Sequence, residues 1–130
     1  MDLQESVECI LAANVVMATS FYTTFLDRYP EVQKYFDGVN MERQGTLLTM
    51  ALVVVEQYHA NPYPVTARYL KELGARHRRW NIPKEHFPLF RGALLESLES
   101  FHGEGWDEAL ADQWQTAIDQ AAEAMLRGYE

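Results

Sequence analysis

One histidine of this chain occupies a position at which an imidazole could do chemistry. The residues that share the predicted helical face of His77 are Leu70, Leu73 and Trp80, at the spacing of a helix face packed on a core. An imidazole facing an apolar core must satisfy its ring nitrogens, by hydrogen bonds or by coordinating a metal. His77 is therefore a candidate metal ligand, and a hydrogen-bonded core histidine is the plainer alternative.

Two further polar side chains fall on predicted inward faces of other helices. Tyr22 precedes Phe25 by three residues, and Gln44 precedes Leu48 by four. Polar groups from three helices can converge on one apolar cavity. A ligand bound in that cavity would then satisfy them. The pattern favours a buried ligand site.

Long segments of helical period, separated by short clusters of proline and glycine, must position these side chains. The predicted segments are residues 3–29, 31–36, 41–60, 65–79, about 87–102 and a last helix that includes 110–125. The first is one helix or two, with a bend near residues 13–14 or 19–20. The only β-branched run, residues 52–55, lies inside a helical pattern. We expect an all-α fold, and helices of unequal length favour orthogonal packing over an up-down four-helix bundle.

Length and charge narrow the function classes. With 130 residues and 48% hydrophobic content, the chain suits a single domain over residues 1–130. The net charge of −8 disfavours nucleic acid and anionic membranes as partners. A lone Cys9, expected to be a small buried residue, fits a reducing cytoplasm. The acidic start and the lack of a run of about 20 apolar residues predict a cytoplasmic protein without a membrane span.

Several short motifs occur in a fixed order along the chain. They are Phe21-Tyr22, Tyr29-Pro30-Glu31-Val32, Phe36, Met41-Glu42-Arg43-Gln44, Leu48, Leu73-Gly74-Ala75-Arg76-His77, His86-Phe87-Pro88-Leu89 and Trp114. Together they resemble the bacterial single-domain globins and the globin domains of flavohaemoglobins, over essentially the whole chain. The resemblance implies the globin fold, in which orthogonally packed helices enclose one haem b.

The same resemblance implies a role for each candidate residue. His77 corresponds to the proximal iron ligand, and Tyr22 and Gln44 correspond to the distal hydrogen-bonding pair. The other residues that it places at the haem are Phe36, Leu48, Leu73, Arg76, Ile82 and Phe87. Among these, Leu48 corresponds to the distal wall, and Arg76 to a partner for a haem propionate.

Two departures from the family pattern affect these roles. The loop between Phe36 and Gln44 is one residue longer than usual, so Arg43 is the alternative to Gln44 as the distal residue. Phe87 stands where flavohaemoglobins carry a tyrosine that helps to polarise the proximal histidine. That replacement argues against a strongly electron-donating proximal side.

The resemblance leaves more than one function open. The first is reversible binding of O2, CO or NO for storage, transport or sensing, by a monomer or a homodimer. The second is NO dioxygenation, which converts NO and O2 into nitrate and needs an electron supply. No flavin or nicotinamide motif is found in the chain, so a separate reductase is expected for that reaction, and gas binding is favoured. Outside the family, the alternative is a haem-free helical interaction module.

Overall fold

The computed structural model describes all 130 residues and contains helices without any strand. The α-helices are α1 (Leu3–Ala12), α2 (Val16–Arg28), α3 (Met41–Ala60), α4 (Pro64–Arg79), α5 (Phe87–His102) and α6 (Glu108–Leu126). The shorter 3₁₀ helices are η1 (Pro30–Phe36), η2 (Lys84–His86), η3 (Gly103–Gly105) and η4 (Arg127–Tyr129). The all-α prediction is confirmed.

The first predicted segment is two helices. α1 begins at a capping box, in which the Asp2 side chain accepts from the main-chain N–H of Glu5 and the Glu5 side chain accepts from that of Asp2. It ends before Asn14, whose φ is +57°, and α2 then leaves at 93° to α1. Of the two predicted bend sites, the one at residues 13–14 is correct.

Sequence signals also explain where the later helices begin. The Asn40 side chain accepts from the N–H of Arg43 at the start of α3, and the Asp107 side chain accepts from the N–H of Leu110 at the start of α6, as N-caps do. α4 begins with Pro64, at a position where proline costs no helical hydrogen bond.

Every α-helix except α4 contributes to the main hydrophobic core. Its largest fully buried side chains include Trp114, Phe21 and Leu98. The buried Leu70 of α4 belongs instead to a small cluster with Ala121 and Ala124 of α6. α4 packs mainly on α6 and η4 and only sparsely on α3. The helix that carries His77 is therefore held in place mainly by the C-terminal segment of the chain.

Two glycines allow α4 to pack closely on that C-terminal segment. A Cβ added at Gly74 would overlap the main-chain carbonyl of Met125, and one added at Gly128 would overlap the main chain of α4 at Lys71 and Ala75. Main chains this close leave no room for any side chain between them. Gly74 lies three residues before His77, so this contact holds the part of α4 that carries the imidazole.

A hydrogen-bonded chain links α1, α5 and α6 inside the molecule. The indole N–H of Trp114 donates to Ser6 Oγ at 3.0 Å, and Ser6 Oγ lies 2.6 Å from His102 Nε2. Because the serine oxygen accepts from the indole, its hydroxyl hydrogen is available to the neutral imidazole. Burial lowers the pKa of His102, and the nearby N-terminal charge adds to that effect.

Two predictions about burial are wrong. Trp80 is 59% exposed, because α4 ends at Arg79 and Trp80, as its C-cap, leaves the inward face. Cys9 is exposed, because the buried side of α1 consists of Leu3, Ser6, Val7 and Ile10. No helix is by itself long and apolar enough to cross a membrane; the bent pair of α1 and α2 passes such a test by length and composition only.

We predict opposite effects of the same change at two helical glycines. Gly74→Ala should destabilise the protein by roughly 3 kcal/mol or more, because the new methyl group meets main chain that cannot move aside. Gly92→Ala in α5, where a Cβ meets nothing within 4 Å, should stabilise it by about 0.5–1 kcal/mol. Urea unfolding of both variants measures the difference, and equal effects would contradict the close contact.

We predict that His102 makes stability depend on pH. Its folded-state pKa lies below the ordinary value of 6.5, so the unfolded chain takes up the proton first and stability falls as the pH drops below about 6.5. The wild type should therefore lose more unfolding free energy between pH 7.5 and 5 than His102→Gln does. An unchanged gap between the two pH profiles would contradict this role.

Candidate functional site

A buried tyrosine and a glutamine form a polar pair between α2 and α3. Gln44 Nε2 donates to Tyr22 Oη at 3.1 Å, and the Tyr22 side chain is only 8% exposed. Burial raises the pKa of Tyr22, and the bond from Gln44 partly opposes that rise. The tyrosine is therefore neutral near pH 7, and since its oxygen already accepts a hydrogen bond, its hydroxyl hydrogen is free to donate to a ligand.

Apolar residues lie next to Tyr22 and Gln44. The ring of Phe36, at the end of η1, meets the Tyr22 ring edge-on at 5.4 Å between centroids. Leu48 lies one turn after Gln44 and is buried. A hydrogen-bond donor in such surroundings acts more strongly than it would in water, because few other dipoles compete with it.

The two alternatives for the second polar residue differ in their contacts. Arg43 is exposed, and only its main-chain N–H is engaged, at the Asn40 cap. Gln44 is the residue whose side chain reaches Tyr22. The longer loop before α3 therefore does not displace Gln44 from the pair.

His77 of α4 has one ring nitrogen engaged and the other available. Nδ1 lies 2.7 Å from the main-chain carbonyl of Leu73, one turn earlier, so it carries the proton and donates. Nε2 is then the unprotonated nitrogen, and no hydrogen bond engages it. Burial lowers the pKa of His77 and outweighs the raising effect of the Leu73 carbonyl. A neutral imidazole with a free Nε2 is the form that binds metals.

The turn after α4 is fixed by a residue that sequence reasoning missed. The N–H of Ile82 donates to the His77 carbonyl at 3.1 Å, and the Tyr129 hydroxyl donates to the Ile82 carbonyl at 2.7 Å. The Phe87 ring packs edge-on against Tyr129, 5.7 Å between centroids. The sequence did contain a signal for Tyr129, which follows Met125 of the predicted last helix by four residues, or about one helical turn. η4 therefore contacts α4 through Gly128 and the following turn through Tyr129.

The remaining predicted residues lie around His77 without a specific contact between side chains. Leu73 and Ile82 are half-buried, whereas Arg76 is exposed and forms no ion pair within the chain. The other histidines are held elsewhere, His59 by Gln120 at 2.8 Å and His86 against the ring of Tyr35. No cluster of three metal-ligating side chains is present, so any metal bound here through His77 needs further ligands from outside the chain.

Comparison with known proteins decides the family. A sequence model of the family described as Globin matches residues 19–125. The chain belongs to the globin family. Family membership implies haem binding.

Individual relatives of this globin are distant. It is 27% identical over 122 residues to a protein named anaerobic nitrite reductase HBII from Casuarina glauca, covering 84% of this chain and 76% of the relative. It is 27% identical over 126 residues to a flavohemoprotein from Bacillus cereus, covering 95% of this chain but only 31% of that protein. The chain thus spans about a third of its flavohemoprotein relatives.

A solved structure supports the fold. A bacterial globin from Campylobacter jejuni superposes with a TM-score of 0.80 at 22% sequence identity, covering 98% of this chain and 91% of that one. At this identity the likeness concerns the fold alone. The predicted globin fold, resembling the bacterial globins, is confirmed.

The donor set of this globin fits haem. His77 offers one neutral nitrogen ligand on a helix that stays outside the main core. The Tyr22–Gln44 pair offers hydrogen-bond donors rather than a second strong metal ligand. Haem iron of the gas-binding type needs one nitrogen ligand from the protein and an open opposite face, so the side chains present are compatible with the group that the family implies.

We predict that the Tyr129 hydroxyl stabilises the turn after α4. Tyr129→Phe removes the bond to the Ile82 carbonyl and keeps the ring that contacts Phe87, so it should cost about 1 kcal/mol of unfolding free energy. The matched control Tyr63→Phe changes a side chain that is 61% exposed and should have little effect. Urea unfolding of the two variants measures both costs, and a loss of equal size in the control would contradict this assignment.

Proposed function

We propose that this globin holds haem b through His77 and binds O2 reversibly, with CO and NO as further ligands. The observation that carries the proposal is the hydrogen bond from Gln44 to Tyr22. It orients the phenol and leaves the hydroxyl hydrogen available to a diatomic ligand. When bound, haem supplies the iron coordination position at which such a gas binds.

The polar pair accounts for tight rather than loose O2 binding. The phenol O–H donates to a ligand that carries partial negative charge, while Gln44 holds the phenol oxygen. Each such hydrogen bond contributes roughly 0.5–1.5 kcal/mol and more as charge develops, and about 1.4 kcal/mol corresponds to a tenfold change in rate. The pair thus slows the release of O2 by one to two orders of magnitude.

The partner of His77 favours gas binding over oxidative chemistry. Nδ1 donates to the neutral main-chain carbonyl of Leu73, and Phe87 offers no hydroxyl to that side of the ring. A carboxylate partner would make the imidazole a stronger electron donor. With a neutral carbonyl as its partner, His77 would hold the iron without strongly increasing its electron density.

The apolar residues and Arg76 complete the proposed site. Phe36 and Leu48 limit the space beside the polar pair and keep water away from it. Leu73, Ile82 and Phe87 give the His77 side its apolar surface. Arg76 is exposed and has no ion-pair partner in the chain, so its guanidinium is free to bind a propionate of the haem.

NO dioxygenation is the second candidate, and similarity to proteins named flavohemoproteins supports it. This reaction consumes NO and O2, yields nitrate and leaves ferric iron that must be reduced again. A binder reacts once with NO, whereas an enzyme supplied with a reductase and its nicotinamide reacts many times. Sustained NO consumption by the haem-loaded protein would establish the enzyme.

We predict that Tyr22→Phe speeds the dissociation of O2 from the ferrous haem-loaded protein by about 10–100-fold. Gln44→Leu should have a smaller effect in the same direction, because it removes only the residue that orients the phenol. Tyr63→Phe, which changes an exposed tyrosine, is the matched control. Stopped-flow displacement of O2 by CO measures the three rates.

Two outcomes would contradict the proposal. If Tyr22→Phe leaves O2 dissociation within twofold of the wild type, the tyrosine does not act on the ligand. If the purified protein takes up no haem and shows no Soret band, or if His77→Ala leaves that band unaltered, His77 is not the iron ligand.

A further inference from the structure

Positive charge is concentrated in one stretch of this acidic chain. Six of the eleven Lys and Arg residues fall within residues 68–84, together with a single acidic residue, Glu72. The rest of the chain carries five basic and eighteen acidic residues. We call these six side chains the basic face of α4: Arg68, Lys71, Arg76, Arg78 and Arg79 of α4, together with Lys84, which begins η2.

None of these charges is neutralised by another side chain of the protein, and Arg76 alone has a proposed partner in the haem propionate. All six side chains are exposed, and the ion pairs of the structure involve only Arg28, Arg91 and Arg127. Arg68 and Lys71 lie three residues apart on the helix, as do Arg76 and Arg79, and like charges at this spacing destabilise a helix. The helix dipole favours the arginines of the last turn, but the repulsion between neighbouring basic side chains stays uncompensated within the chain, and an external negative partner would offset it.

Exposed apolar side chains lie along the same helix. Val65 is 75% exposed, Tyr69 45% and Trp80 59%. The opposite side of α4 packs on α6 and η4, so this outer side has no partner within the chain. Tyr, Trp and Arg are the residue types that dominate the binding energy of protein–protein interfaces.

The surface also lies next to the candidate iron ligand. The Trp80 ring is 5.5 Å from the His77 ring, centroid to centroid. Trp80 thus joins the exposed surface to the imidazole, and a protein seated there would lie beside the haem that His77 is proposed to hold.

We propose that the basic face of α4, with Tyr69 and Trp80, is the docking surface for a small acidic electron-carrier protein. The carrier, a reduced flavin or iron–sulfur protein, gives up one electron, and the ferric haem iron held by His77 becomes ferrous. No bond is formed and no proton is transferred. The inference rests on the proposed function, since it requires haem on His77.

The charge distribution favours a compact acidic protein over a long polyanion. At physiological ionic strength, charges act over a Debye length of about 8 Å. A small partner confined to α4 therefore meets mainly the six basic side chains. A nucleic acid extending beyond α4 would meet the eighteen acidic residues of the remaining chain.

The test uses the full haem-loaded chain and an acidic plant-type [2Fe–2S] ferredoxin as the probe. We expect calorimetry to show binding that weakens steeply as salt rises, and stopped-flow spectroscopy to show reduction of the ferric haem by the reduced probe. Arg68→Glu/Lys71→Glu/Arg79→Glu should lower both the affinity and the second-order reduction rate more than tenfold. Arg68→Gln/Lys71→Gln/Arg79→Gln, a milder change at the same exposed sites, should give an intermediate loss.

Two single substitutions distinguish the effect of charge on the basic face from the effect of net charge. Arg79→Glu and Lys34→Glu change the net charge by the same amount, but Lys34 lies on η1, outside the basic face. We expect Arg79→Glu to slow reduction several-fold and Lys34→Glu to change it less than twofold. Arg76 is left unchanged in every variant, because it is the candidate propionate partner.

The outcomes distinguish this inference from the proposed function. If O2 dissociation is normal but reduction does not respond to charge reversal on α4, the docking surface is wrong while the gas-binding proposal stands. Equal effects of Arg79→Glu and Lys34→Glu, or tighter binding to a duplex DNA oligonucleotide than to the probe, would also overturn it. If no haem is taken up, the proposed function fails, and the electron-transfer role fails with it.

Discussion

Main-chain contact between α4 and the C-terminal segment determines where the candidate iron ligand lies. Gly74 meets the Met125 carbonyl, and Gly128 meets α4 at Lys71 and Ala75. Since α4 contributes no residue to the main core, side-chain burial there cannot hold it in place. His77 is half-buried on this helix and keeps its Nε2 free of hydrogen bonds. The glycine contacts therefore connect the packing of the fold with the availability of His77.

The Tyr22–Gln44 pair and His77 differ in their hydrogen bonding, and the difference has a chemical meaning. Tyr22 is buried and Gln44 is half-buried, and burying polar groups costs stability unless they are bonded. The hydrogen bond between them satisfies the phenol oxygen of Tyr22, but the hydroxyl hydrogen of Tyr22 remains without an acceptor. By contrast, the imidazole of His77 donates its Nδ1 hydrogen to a main-chain carbonyl. Under the proposed function, the pair supplies a hydrogen-bond donor for a gas ligand and His77 supplies an unprotonated nitrogen for the iron.

Helical periodicity could predict much of this arrangement, but not all of it. It placed Tyr22, Gln44 and His77 on inward faces, because a period of 3.6 residues relates side chains within a helix. It failed at Trp80, where the helix ends and the period no longer applies. It also missed the contacts of Tyr129 and Gly128, which depend on how two distant segments meet. Local spacing carries no information about the distance between helices, so tertiary contacts of this kind require the structure.

The outer side of α4 carries a concentration of positive charge that its packing does not require. A helix that packs on α6 through small residues needs no particular charge on its outer side, yet six basic side chains lie there or just beyond it in an acidic chain. Their mutual repulsion works against the helix that holds His77, and no acidic side chain of the protein forms an ion pair with any of them. A requirement of folding alone would be met equally well by neutral polar residues. The helix dipole accounts for arginines in the last turn of α4, but not for Arg68, Lys71 and Lys84. The physical argument for a negatively charged partner is therefore that the chain concentrates exposed positive charge here and supplies no acidic side chain to pair with it.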